Sequence, residues 1–184
     1  MRIEEAKRLF MQENANLSAL RRDGLYDEFL RLQITDDTLK RWEKELMSMY
    51  QKVLTGTSSS ANVKLQTIYR IDEMGCSNGE NVRFILDYYL SCREIDTFSQ
   101  ILLCEVLSRP KYKELLLNNG IDLQEHIDRL IETVREGHFT IDASYKDDPY
   151  LDDADFTQDN LLARAVRMKN KFNYQGKGMR QSFL

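Results

Sequence analysis

Apolar residues in this chain recur three and four apart, in runs closed by capping residues, and very little interrupts them. Only 2 prolines and 8 glycines occur in 184 residues. A strand would show its apolar residues every second position, whereas a helix repeats every 3.6. The chain is therefore expected to be helical almost throughout, and a turn-rich sandwich or barrel is disfavoured.

The clearest seam follows Thr35, which precedes Asp36 and Asp37 as a cap precedes the positive end of a helix dipole. Leu39, Trp42, Leu46, Met49 and Val53 then alternate three and four apart, opposite Lys40, Arg41, Glu43, Lys44 and Glu45. This is roughly two heptads, short of what a free coiled coil needs, so the seam is assigned to a bundle interior.

Before it, Ile3, Ala6, Phe10, Leu17 and Leu20 predict a first helix to about Arg22, and Leu25, Phe29 and Leu32 a second after Gly24. Beyond it, helix resumes through Leu65, Ile68 and Tyr69. A turn and cap at 77–80 then introduces Val82, Ile85, Leu86, Tyr89 and Leu90. Asp96 or Thr97 caps a helix burying Phe98, Ile101, Leu102 and Val106, and Pro110 opens another that carries Tyr112, Leu115 and Leu116. Asp122 with Glu125 has capping-box character. It starts a stripe of Leu123, Ile127, Leu130, Ile131 and Val134 that Gly137 closes.

The expected fold class is all-α: a multi-helix bundle of about seven short to medium helices over 1–137, with a charge-segregated C-terminal arm. Between them lies an acidic connecting segment, 138–160, whose start (138–145) alternates weakly enough to be read as extended. The arm, 161–184, is expected to be partly helical or flexible, with Leu161, Leu162, Ala165, Met168 and Phe172 on one helical face. Charge changes abruptly there. Asp147, Asp148, Asp152, Asp153 and Asp155 crowd the segment before it, and from Asn160 onward every charged side chain is Arg or Lys.

Catalytic chemistry finds little to work with. The chain has 2 histidines and 3 cysteines. His126 flanks an apolar stripe, and His138 follows a helix-ending glycine where a cation suits the dipole. Glu-x-x-His and His-x-x-x-His are both lacking, as are the mid-loop glycine and terminal glutamate of a calcium loop. No cofactor and no metal are implied. Cys76, Cys92 and Cys104 have no paired spacing and read as reduced, mostly buried thiols. The first residues lack the apolar core of a secretory signal, and no run is long and apolar enough to span a bilayer. No membrane association and a cytoplasmic location are therefore expected.

The arm is the one departure from plain helical composition that carries a physical meaning. Arg164, Arg167, Lys169 and Lys171, with Phe172 and Tyr174 interleaved, are the candidate partner-binding residues. Such a row docks into an acidic surface of another protein, or of a second copy, and would equally follow a phosphate backbone. The plain alternative is a tail folded back on the Asp-rich segment. The leading functional expectation is a non-enzymatic protein–protein interaction, as an adaptor or assembly subunit. The alternatives are a nucleic-acid-binding regulatory or packaging protein, against which a net charge of −4 argues, and an enzyme working in a bundle cleft.

Overall fold

The computed structural model describes residues 1–74, 80–91 and 95–177, with the side chains of residues 80 and 172–177 outside that set. Cys76, Cys92, the turn at 77–79, Arg180 and the side chains of Phe172, Tyr174 and Lys177 thus lie outside the described residues. The described chain is all helix and turn, with no strand. It holds ten α-helices, more than the seven or so that the spacing suggests. They are α1 (Ile3–Gln12), α2 (Leu17–Arg22), α3 (Tyr26–Arg31), α4 (Asp36–Thr55), α5 (Ala61–Glu73), α6 (Glu80–Ser91), α7 (Thr97–Leu107), α8 (Lys113–Asn118), α9 (Leu123–Arg135) and α10 (Gln158–Lys177).

The chain forms two compact units, Met1–Ser59 with Gln66–Ile85, and Ser60–Leu65 with Leu86–Leu184. In the first, Phe10 stacks on Phe29 at 6.3 Å and meets Trp42 at 5.7 Å between ring centres. The predicted first helix breaks in two because Asn14 and Ala15 both adopt left-handed backbone, at φ 56° and 58°. The Asn14 side chain holds that turn: its Nδ2 donates to the Arg70 carbonyl at 2.5 Å, and its Oδ1 accepts from the Tyr50 hydroxyl at 2.7 Å.

Tyr50 also explains a rotated seam. The buried line of α4 is Trp42, Leu46, Tyr50 and Leu54, while Met49 is 54% exposed. A straight helix repeats every 3.6 residues, so a four-residue row winds gradually round it, away from the stripe that a three-and-four alternation would keep.

In the second unit α7 is buried on nearly every side, from Thr97 through Leu107. That is how a helix apolar all round must be placed. Its exposed N–H groups are capped by Asp96, which accepts from Ser99 N at 3.0 Å. Thr140 adds a reciprocal pair with Thr97, in which each side-chain oxygen accepts from the other's backbone N–H. That exchange, and a 3-10 turn at Ala143–Asp147, replace the extended segment expected at 138–145. All five stripe residues of α9 are buried, with Asp122 as cap and Gly137 at φ 74° after the last turn.

Candidate functional site

The C-terminal helix is an integral wall of its unit. Leu161, Ala165 and Met168 are 0%, 0% and 2% exposed, and α10 packs on both α9 and α7. Its first residue also finishes α9: Gln158 Nε2 donates to the carbonyls of Val134 and Arg135, at 2.7 and 3.0 Å, which the helix end would leave unmet. The apolar face anticipated for the arm is thus used for packing, and the charged residues are distributed around it.

Arg164 makes a two-pronged ion pair with Glu105 of α7 (Nε to Oε1 2.7 Å, Nη2 to Oε2 2.9 Å), and its guanidinium lies 5.9 Å from the Phe98 ring centre. Lys169 turns to the other flank and pairs with Asp128 of α9 at 2.6 Å, which holds that carboxyl below its ordinary range. Arg167 and Lys171 are exposed, and among the described residues no carboxylate pairs with either. Arg167 reaches only the carbonyl of Ala163 one turn back, at 3.4 Å.

Arg164, Arg167 and Lys171 converge with Arg109 on a groove of about 440 Å³, together with Ser108, Pro110 and Met168. Among the described residues Glu105 is the single carboxylate lining it, against Arg109, Arg164, Arg167 and Lys171. Arg109 and Glu105 were not legible as site residues in the sequence. The signal that would have found Arg109 is its place just past α7, where a cation meets the negative end of the dipole.

The opposite flank of α10 carries more carboxylates than cations. The larger depression there, about 910 Å³, is lined by α9 carboxylates and by Arg129, Arg135 and Lys169. Arg129 bonds Glu125, Arg135 pairs with Glu132 at 2.6 Å, and Lys169 takes Asp128. Those three cations are each paired there, whereas Arg167 and Lys171 of the groove meet no carboxylate among the described residues.

The Asp-rich segment is an ordered turn. Tyr145 is fully buried, and its hydroxyl meets Ser99 Oγ at 2.6 Å, while that Ser99 hydroxyl donates to Asp96. Asp152 and Asp155 cap a 3-10 turn at Asp153–Phe156 reciprocally. Phe156 then packs edge-on against Phe98 at 5.2 Å. Between these two anchors Tyr150 stands 91% exposed.

Groups with chemical potential are otherwise sheltered. The Cys104 thiol is buried and pushed up to about 12 by that burial, so it stays protonated and unreactive. His126 meets Tyr89 edge-on at 5.5 Å, and its Nε2 has no hydrogen-bond partner among the described residues. Burial, and then the nearby Arg129, hold its pKa below the ordinary value. The unfolded chain therefore binds this proton more readily than the folded one. Stability from this residue is full above about pH 6.5 and is lost as the pH falls from there through the depressed value. Thermal melts over that interval should decline less steeply in His126→Gln than in the parent; identical slopes would rule the residue out as their source.

Among the described residues no helix is long and apolar enough to cross a membrane, and no group of three or more His, Cys, Asp and Glu converges as for a metal ion. No family model, curated protein or solved structure matches this chain.

Proposed function

We propose that this protein is a non-enzymatic interaction protein, an adaptor or assembly subunit, that holds an acidic segment of a protein partner in the groove between the end of α7 and α10. One observation carries the reading: among the described residues four cations line that groove against one carboxylate, and two of those cations, Arg167 and Lys171, have no carboxylate partner there. Those two stand one helical turn apart. Like charges at that spacing oppose the helix by roughly 0.2–0.5 kcal/mol. An anion lying between them removes the repulsion and adds charge-assisted hydrogen bonds.

Arg164 plays a different part. Its guanidinium is committed to Glu105, so it sets the wall of the groove and leaves capture to its neighbours. The carboxylate-rich α9 face across the helix would repel an extended phosphate backbone, which favours a short acidic peptide over nucleic acid.

The test is fluorescence anisotropy with a labelled oligoglutamate peptide at low salt. Replacing both cations, Arg167→Glu with Lys171→Glu, should weaken binding by roughly tenfold or more. A control of equal charge change on an exposed face of α4, Lys40→Glu with Lys44→Glu, should leave it nearly unchanged. Equal losses in the two variants would reduce the effect to net charge and defeat the proposal. Tighter binding of a duplex oligonucleotide than of the peptide would also count against it.

A further inference from the structure

We infer that the acidic segment this groove takes is the exposed turn around Tyr150 of a second copy of the same chain, joined head to tail. The inference rests on the reading of the groove given above and names its partner.

The two complementary features sit at opposite ends of the same helices. The acidic turn is anchored at the beginning of α7, through Ser99 to Tyr145 and Phe98 to Phe156. The groove lies at the end of α7, around Glu105, Ser108 and Arg109. Because Phe156 precedes α10 and Arg164 reaches Glu105, α10 follows α7 in the same direction. Along α10, carboxylates thus stand near the N-terminal end, and Arg167 and Lys171, with no carboxylate partner among the described residues, toward the C-terminal end. Helix dipoles favour this placement within one molecule. The same placement gives each copy two unlike poles.

A chain cannot satisfy its own groove with its own turn. Asn160 Nδ2 donates to the Ala154 carbonyl at 2.6 Å and the Thr157 hydroxyl accepts from Asn160 N, which fixes the turn at the start of α10. Arg167 lies nine residues past Gln158, about 13 Å further along the axis. That exceeds the Debye length of roughly 8 Å at physiological salt. The carboxylates of Asp147, Asp153 and Asp159 are exposed and have no partner among the described residues.

Shape agrees with charge. The turn offers one projecting ring, Tyr150, with carboxylates on either side. The groove offers the apolar surface of Pro110 inside a rim of cations. A tyrosine ring gains from guanidinium groups over its face. A contact between two unlike patches of one chain is heterologous, so it leaves a free pole on each end and propagates.

Sedimentation velocity of the full chain provides the test. At low salt the average mass should rise with concentration, and it should return to the monomer at high salt. A turn variant (Tyr150→Ala with Asp153→Lys) and a groove variant (Arg167→Glu with Lys171→Glu) should each remain monomeric, with helix content checked by circular dichroism. Mixed in equal amounts, they should form a dimer and nothing larger, because each supplies one intact pole. A wild-type chain that stays monomeric at low salt overturns the inference, as does association that survives either variant or a mixture that fails to pair. If oligoglutamate still binds the groove in those cases, the reading of the groove survives; if it does not, both fall.

Discussion

Ending the chain at residue 157 should unfold the second unit. Read as a flexible arm, the C-terminal stretch appears dispensable. As α10 it supplies Leu161, Ala165 and Met168 to the interior, all at most 2% exposed. Truncating one large buried apolar side chain costs about 2–5 kcal/mol, and losing two such residues together with the helix that carries them approaches a typical domain stability of about 5–15 kcal/mol. The loss also uncovers α7 and α9 and leaves the carbonyls of Val134 and Arg135 without Gln158. Amide exchange should show α7 and α9 unprotected in the truncated chain and protected in the intact one. Full protection of α9 after truncation would mean that α10 is peripheral. For the same reason, partner binding is better probed with the surface pair Arg167 and Lys171 than by deletion.

What could be read in advance divides by range of interaction. The helix α9 was wholly legible, because its cap, its five-residue stripe and its closing glycine are all local signals. The seam of α4 was legible as a helix but not in its rotation. Tyr50 lies outside the three-four spacing, and its buried place depends on a hydroxyl that donates to Asn14, thirty-six positions away. The break at Asn14 and Ala15 is marked in the sequence by the asparagines that weaken the middle of the first helix, while alanine itself gives no hint of left-handed backbone.

The candidate site shows the same division. The change of sign around Asn160 is a sequence fact, and it falls in the first turn of α10. What each cation does there was hidden. Arg164 is spent on Glu105, fifty-nine positions earlier, and Lys169 on Asp128, whereas Arg167 and Lys171 are left over. Only the helical register on a packed helix sorts these roles. Arg109 joins them because α7 ends beside α10, a proximity that no local pattern encodes.

Phe98→Ala should produce the largest loss from any single substitution near the site, about 3–5 kcal/mol. Its ring is fully buried and meets Tyr145 edge-on at 4.8 Å, Phe156 at 5.2 Å and the Arg164 guanidinium at 5.9 Å. Removing it leaves a cavity where both anchors of the acidic turn meet the start of α7. Edge-to-face aromatic pairs add roughly 0.5–1.5 kcal/mol beyond buried area, so two such contacts are lost with the volume. Phe98→Leu keeps most of the volume and none of the aromatic geometry, and should fall between the parent and the alanine variant. Urea unfolding followed by circular dichroism gives the magnitudes, and the urea dependence should keep its slope if the same unit still unfolds. Susceptibility of the turn to proteolysis at 147–153 should rise further in Phe98→Ala than global stability alone requires, since the turn loses its own supports. Were the turn to remain as protected as α9 in that variant, Tyr145 and its bond to Ser99 would be sufficient to hold it, and Phe98 would matter to the core alone.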